Sequence, residues 1–323
     1  MCSGIRFVDD RGKMYAGRNL DWECGYGQAV TITPRNYERA YAFEAPARGY
    51  AVIGTCIVVD DAPLYFDCGN EKGVYIAGLN FPGYAEYEKD ALPAKTNIAA
   101  YEFPLWVASN FASVDEIEVA LKDVAIVGKR VNDRYPVSLL HFLICDDERS
   151  IVVEYMADGM HIHHNAVDVL TNQPTFDWHL EHLRSYLNLS SEFTPMVNWG
   201  SAGLAPYGSG EQLVGLPGSN YSPDRFVRVA YYNTHYPAQT GETANVVRLF
   251  RTLGSVEQFL GGGKMEDGNY EYTVYTGGFS AASNTYYMSL YEDPSIKSYP
   301  LDAISLDSAK LYTFTADHQE SSS

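Results

Sequence analysis

The hydrophobic period of this chain switches back and forth between two and about 3.6, and the order of the switches leaves few folds open. Over the first third, the strand-like runs CSGIRF, KMYAGR, AVTITP, YAVIGTCIVVD, PLYFDC and GVYIAGLNF follow one another, several joined by Gly-bearing polar turns. That reads as an antiparallel meander. The period then changes: a helical stretch around Pro104 to Phe111 precedes a capping box, Ser113 with Glu116, followed by Ile117, Leu121 and Val124 at helical spacing. Strands return in SLLHFLIC, SIVVEYM and GMHIHH. A helix with Phe176, Leu180, Leu183 and Leu187 on one face comes next, then two more around Pro223 to Tyr232 and Thr243 to Leu253. The tail closes with YEYTVYTGG, TYYMSLYE and KLYTFTA. Such an order predicts two mainly antiparallel sheets with helices on their outer faces, hence one layered α+β domain over residues 1–323.

One segment breaks the pattern. Residues 190–222 lack periodicity and are rich in Gly, Pro and Ser, yet contain Met196, Trp199, Leu204, Tyr207 and Leu213. Apolar residues on a long loop need cover, so the segment is expected to lid a pocket or to pack on a neighbouring subunit. Low complexity is confined to Gly261 to Gly263 and the Ser321 to Ser323 end.

Charge narrows the function. With 23 Lys and Arg against 41 Asp and Glu, the chain carries a formal charge of -18 and would be repelled by a phosphate backbone, so nucleic acid is excluded as a partner. No stretch has the length and apolarity of a bilayer span, and the first residues lack the apolar core of a signal peptide. Five cysteines (Cys2, Cys24, Cys56, Cys68 and Cys145) show neither CxxC nor a regular spacing, which fits a reducing cytoplasm better than a disulfide framework or a zinc site. Those beyond Cys2 read as small buried apolar residues.

The sharpest chemistry lies at the N-terminus. A small residue after Met1 permits removal of the initiator methionine, which would leave Cys2 with a free α-amine beside its own thiol. An ordinary α-amine titrates at about 7.7–8.0 and an ordinary thiol at about 8.5, so nucleophile and base can exchange a proton within one residue. The turn Asp9-Asp10-Arg11-Gly12 separates two alternating runs, and folding about its centre sets Ser3 against Arg18 and Cys2 against Asn19. Allowing for a slip of a residue or two, Arg18 lies within a pleat of Cys2 and Asp21 just beyond. A guanidinium near the sulfur favours thiolate, and a carboxylate near the amine holds it by a charge-assisted hydrogen bond. Taken singly, a cysteine at position 2 is more often an incidental residue, and Arg18 with Asp21 would serve equally as a surface ion pair.

Five separated motifs carry a resemblance. Met1-Cys2-Ser3-Gly4, GRNLDW (Gly17 to Trp22), NEKGVYIAGLNFPGY (Asn70 to Tyr84), LTNQPTFDWH (Leu170 to His179) and PDRFVR (Pro223 to Arg228) together resemble the choloylglycine hydrolase family, in the family's order. The resemblance implies a four-layer αββα N-terminal-nucleophile sandwich, a homotetramer, no cofactor and no metal. It implies hydrolysis of glycine- or taurine-conjugated bile salts, with penicillin V acylase as the alternative inside the family. It gives Cys2 as nucleophile, Arg18 as thiolate partner, Asp21 as holder of the amine, Asn172 as side-chain oxyanion donor, Asn80 as backbone oxyanion donor and Arg225 as an arginine near the nucleophile. Asparagine rather than tyrosine at position 80 inclines the substrate toward bile salts. Read from residues alone, Asn80 and Asn172 end strands where asparagine also serves as a turn former, and Arg225 at a helix start could be salt-bridged at the surface.

A steroid needs an apolar groove. Leu20 and Trp22 after the hairpin, Val59 and Tyr65 around the DDAP turn and Val131 past the first helical region are candidates, although each could be ordinary core. His161, His163 and His164 lack an acidic or cysteine partner at ligand spacing and suit an exposed edge better than a metal site. A non-catalytic carbohydrate- or lipid-binding module rich in strands and tyrosine is the reading from a different class.

Overall fold

The structure is a computed structural model that describes residues 1–45 and 47–314. The Ser321 to Ser323 end and the last residues of KLYTFTA lie outside the described residues.

Two antiparallel sheets dominate. The six-stranded sheet runs in the order β12 (Val169–Leu170), β1 (Cys2–Val8), β2 (Met14–Trp22), β15 (Tyr272–Ser280), β16 (Thr285–Leu290), β17 (Lys297–Pro300). The eight-stranded sheet runs β11 (Gly159–His164), β10 (Ser150–Met156), β9 (Leu140–Cys145), β6 (Tyr75–Asn80), β5 (Ala62–Asn70), β4 (Val52–Val59), β3 (Ala29–Thr33), β18 (Tyr312–Thr313). Their inner faces meet in a core that includes Phe279, Leu79 and Leu143. Helices α4 (Ser222–His235) and α5 (Glu242–Gly254) cover the outer face of the first sheet, with α3 (Phe176–His182) against α4. Helix α1 (Phe103–Asn110) covers the outer face of the second, and its Phe103 and Trp106 share a cluster with Tyr65, Cys68 and Phe142. The layers are therefore α, β, β, α.

Local rules explain most boundaries. The Ser113 hydroxyl accepts from the Glu116 N–H at 3.2 Å and starts α2 (Val114–Leu121), with Ile117 and Leu121 buried. Val124 does not continue that helix. It begins β8 (Val124–Val127), which pairs in parallel with β7 (Thr96–Ala99), because a turn at Lys122 and Asp123 returns the chain to extended geometry. Likewise α3 gives way to a 3₁₀ turn at Leu183, so Leu187 leaves the apolar face and is 84% exposed. Residues 190–222 contain a short hairpin, β13 (Val197–Trp199) with β14 (Ala202–Leu204), whose residues are all exposed.

The first hairpin differs from its expected register by one residue. The closing pair is Asp9 with Lys13 rather than Asp9 with Gly12: the Asp9 N–H donates to Lys13 O at 2.9 Å, the Asp9 carboxylate accepts the Arg11 and Lys13 N–H groups, and Gly12 sits at φ 76°. This is a three-residue loop ending in a left-handed glycine. Cys2 consequently pairs with Leu20, Ser3 with Asn19 and Gly4 with Arg18. Because side chains alternate across a strand, the shift moves Arg18 from the face of Ser3 to the face of Cys2.

Candidate active site

That register builds the site. Cys2, Gly4, Arg18 and Leu20 face the second sheet, whereas Ser3, Asn19 and Asp21 face the helices: Arg225 of α4 donates to the Ser3 hydroxyl at 2.6 Å, and the Asn19 amide donates to Leu253 O of α5 at 3.0 Å. Cys2 is 4% exposed and its Sγ receives a hydrogen bond from Arg18 Nη2, while Arg18 Nε donates to Asn19 O at 3.0 Å. Burial works against the Arg18 charge, but Cys2, Tyr275, Asp67 and Tyr75 outweigh it and raise the guanidinium above its ordinary value. A cation so placed favours sulfur as an anion.

Asn172 lies where the parts meet. Its Oδ1 accepts from the Cys2 N–H at 2.7 Å and from Arg225 Nη2 at 2.7 Å, and its Nδ2 donates to Asn80 O at 2.6 Å. Arg225 is fully buried, a correction to the surface alternative, and also donates to Cys2 O at 2.6 Å and to Asn220 O at 2.9 Å. Burial lowers its affinity for the proton, against the pull of Asp21 and Cys2. At Asn80, Phe81 N–H bonds Leu139 O at 2.8 Å, so the alternation of an antiparallel pair turns the Asn80 N–H away from β9.

Asp21 differs from expectation. Its carboxylate accepts from Thr273 Oγ1 at 2.6 Å and Gln258 Nε2 at 3.0 Å, not from the Cys2 nitrogen. The chain carries Met1, so that nitrogen is a peptide N–H with a single proton, already given to Asn172. The Met1 ammonium instead pairs with Glu271 and donates to Asp21 O at 2.6 Å.

Behind Asn172 stand imidazoles to which the sequence reading gave no role. His179 Nε2 contacts Asn172 O at 2.9 Å; burial pushes His179 down to about 4, so the ring is neutral and this nitrogen carries its proton. His141 Nε2 contacts Thr171 O at 2.8 Å while its Nδ1 lies 3.2 Å from Glu154. Burial works to raise the Glu154 carboxyl, yet the hydrogen bond with His141 and the nearby His163 ring bring it down to about 2. These groups fix the two carbonyls that flank the Asn172 side chain.

Of the groove candidates, Leu20 is brought directly opposite Cys2 and is buried. Trp22 ends β2, half-buried against the inter-sheet core. Val59 ends β4 and Val131 lies between β8 and β9, both half-buried. Tyr65 faces the other way: its hydroxyl lies 2.9 Å from Thr33 Oγ1 and 3.1 Å from Thr31 O, in the cluster under α1. A bulge across Thr55 and Cys56 is the cause, since it inserts Phe66 between the Tyr65 and Asp67 pairings and leaves Phe66, not Tyr65, toward the inter-sheet core. The Phe66 ring meets that of half-exposed Tyr26 at 5.6 Å, a pair that sequence spacing could not reveal. His161 contacts Asp158 and His163 contacts Asp177, at 2.8 and 3.1 Å. Among the described residues no group of three His, Cys, Asp or Glu is arranged to hold a metal ion. All five cysteines are free thiols; Cys56, Cys68 and Cys145 are buried, but Cys24 is exposed.

Two facing antiparallel sheets with helices outside them, and a cysteine opening an inner strand, define the class of the N-terminal-nucleophile hydrolase sandwiches. A family profile described as linear amide C–N hydrolases, choloylglycine hydrolase family, matches residues 2–314, and the chain belongs to that family. It is 53% identical over 313 residues to a bile salt hydrolase/transferase of Bifidobacterium longum subsp. longum, covering 96% of this chain and 98% of that one. It is similar to a crystal structure of a mutant conjugated bile acid hydrolase from Clostridium perfringens, with TM-score 0.91 and 33% identity over 98% of this chain and 97% of that one. A penicillin V acylase from Agrobacterium tumefaciens shares the fold at TM-score 0.77 and 20% identity, over 97% and 90% of the two chains.

Proposed function

We propose that this amide C–N hydrolase is a bile salt hydrolase that cleaves glycine- or taurine-conjugated bile acids through an N-terminal cysteine. The observation that carries the reading is the buried Cys2 with Arg18 on its sulfur and Asn172 on its nitrogen, in a chain more than half identical to a bile salt hydrolase. Once Met1 is removed, the Cys2 sulfur attacks the amide carbon, and its proton passes through the α-amine to the departing nitrogen. Glycine or taurine leaves and a thioester remains. Water then attacks the thioester, the α-amine takes its proton, and that proton returns to sulfur as the bile acid departs. Asn172 Nδ2 and the Asn80 N–H are the oxyanion donors in both halves. Asp21, one residue past the partner of Cys2, is the carboxylate that receives the amine when Met1 is gone. Arg225 anchors Cys2 O and Asn172 Oδ1 together. Leu20, Trp22, Val59 and Val131 are the apolar contacts we assign to the steroid, with Tyr65 acting from behind as support for its strand.

The test is a substrate panel on protein whose intact mass has been measured. Protein lacking one methionine is expected to release glycine from glycocholate or taurine from taurocholate faster than it cleaves the side-chain amide of penicillin V. Faster turnover of penicillin V would favour the acylase reading, and no turnover of any of them by the processed protein would leave a binding module.

We further propose one αββα hydrolase domain that works in the bacterial cytoplasm as a homotetramer, with residues 190–222 as its assembly segment. Phe193, Met196 and Trp199 are 73%, 62% and 76% exposed there, more apolar surface than an isolated loop retains without a partner. Removing residues 193–207 should reduce the number of subunits per particle measured by sedimentation in the cytoplasmic fraction; an unchanged number rules this assignment out.

A further inference from the structure

The two oxyanion donors assigned above come from different sheets. Asn80 ends β6 of the eight-stranded sheet, and Asn172 lies just past β12 of the six-stranded one. Their separation depends on how the sheets are tied at this end, and a buried polar pair ties them there. His141 on β9, paired opposite Leu79 of β6, is fully buried, and its Nε2 lies 2.8 Å from Thr171 O, the carbonyl just before Asn172. A carbonyl can only accept, so this nitrogen carries the proton. The same ring lies flat against that of Phe81, the residue after Asn80, with centroids 4.1 Å apart and planes 7° from parallel. One imidazole therefore touches the chain next to each donor.

Glu154 makes that imidazole a fixed point. It stands on β10, the neighbour of β9, and is fully buried. Its Oε1 lies 3.2 Å from His141 Nδ1 and accepts the Phe176 N–H at 3.0 Å, at the start of α3. The imidazole thus holds the near end of the segment 171–176 and the carboxylate holds its far end, both from the eight-stranded sheet. Glu154 Oε2 lies 3.4 Å from His163 Nε2 of β11. Bonds from the helices act on the opposite side. The Asn172 N–H donates to Ser222 Oγ of α4 at 3.0 Å, and His179 Nε2 of α3 donates to Asn172 O at 2.9 Å. Because α4 packs on β1 and β12 and α3 packs on α4, these bonds hold the segment to its own sheet and do not set its distance from the other.

We propose that His141, held by Glu154, is a positioning residue for both oxyanion donors: it spaces Asn172, through the Thr171 carbonyl, from Asn80, through the Phe81 ring. The proposal rests on the reading of Asn80 and Asn172 as those donors. Two donors stabilise a tetrahedral intermediate together only when both reach one oxygen at hydrogen-bond distance, and a displacement of about 1 Å can cost about 10²-fold in rate. With no surface exposed, His141 does not touch substrate, so its effect belongs in kcat and not in KM.

The experiment uses His141→Phe, which keeps a ring on Phe81 and removes the bond to Thr171 O, made alone and in Asn172→Ala. Processed protein is assayed for kcat and KM with glycocholate, and for alkylation of Cys2 by iodoacetamide, a displacement that builds no oxyanion. His141→Phe alone is expected to lower kcat by about 10–100-fold with KM within about twofold of the original and alkylation unchanged. In Asn172→Ala it should lower kcat no further, since the donor it positions is already gone. An unchanged kcat, alkylation slowed by the same factor as kcat, or the same loss repeated in Asn172→Ala each overturns the proposal. If His141→Phe does not fold, Phe81→Leu decides. It leaves the Thr171 bond and removes the flat support on the Asn80 side, so kcat should fall about threefold or more with KM and alkylation unchanged; an unaltered kcat there overturns the proposal equally. Failure of the underlying reading is a separate result: Asn172→Ala at the original kcat removes Asn172 as a donor, and the role of His141 falls with it.

Discussion

Cys2→Ala is expected to lose hydrolysis of glycocholate and taurocholate altogether, by about 10⁴-fold or more, while remaining folded and able to bind substrate. Removal of a covalent nucleophile leaves only the contribution of binding and oxyanion stabilisation, which is small beside the whole rate enhancement. The substitution also preserves the processing signal, since alanine at position 2 permits removal of Met1 as cysteine does, and it keeps the strand register because the Cys2 main chain makes the contacts to Asn172 and Arg225. Released glycine or taurine measures turnover, calorimetric titration with glycocholate measures binding, and a melting curve reports the fold. Hydrolysis at even a hundredth of the original rate by the processed variant would remove Cys2 from the chemistry.

Asn172→Ala is expected to lower kcat by about 10²–10³ with little change in KM, the usual consequence of losing one oxyanion donor. In the present structure Nδ2 is engaged by Asn80 O, so the reaction requires it to exchange a neutral carbonyl for a charged oxygen, the stronger acceptor of the two. Asn172→Asp separates that role from packing. It keeps the oxygen that accepts from Cys2 and Arg225 but replaces the donor with an acceptor aimed at Asn80 O. A loss of kcat at least as large is expected for Asp as for Ala; an Asp variant near the original kcat would show that Asn172 acts only as an anchor.

The placement of the candidate residues shows how far pattern alone reaches. Helix starts and strand runs are legible because they depend on near neighbours: the Ser113 hydroxyl caps α2 by accepting the Glu116 N–H three residues on, and proline opens α1 and α4. Helix ends are less so, and Val124 and Leu187 leave their expected helices where the chain turns toward other partners. The inward-facing set is least legible. A single bulge sends Tyr65 to the helix layer and Phe66 to the core, and His141, Glu154 and His179, which fix the Thr171 and Asn172 carbonyls, belong to three separate elements with no common motif.

Sequence by itself determined the strand and helix order, a cysteine with its own potential base at position 2, an arginine within a pleat of it and a carboxylate just beyond, because these follow from covalent neighbourhood and from periodicity. Tertiary structure decided which face each of them occupies. The loop closed by Asp9 and Lys13 puts Arg18 beside the Cys2 sulfur instead of behind it, and only the approach of the second sheet brings the Asn80 carbonyl onto Asn172. The physical reason is parity: side chains alternate along a strand, so one residue more in a turn exchanges inside for outside. A loop fixed by an aspartate carboxylate and a left-handed glycine makes that choice through geometry that spacing alone does not contain.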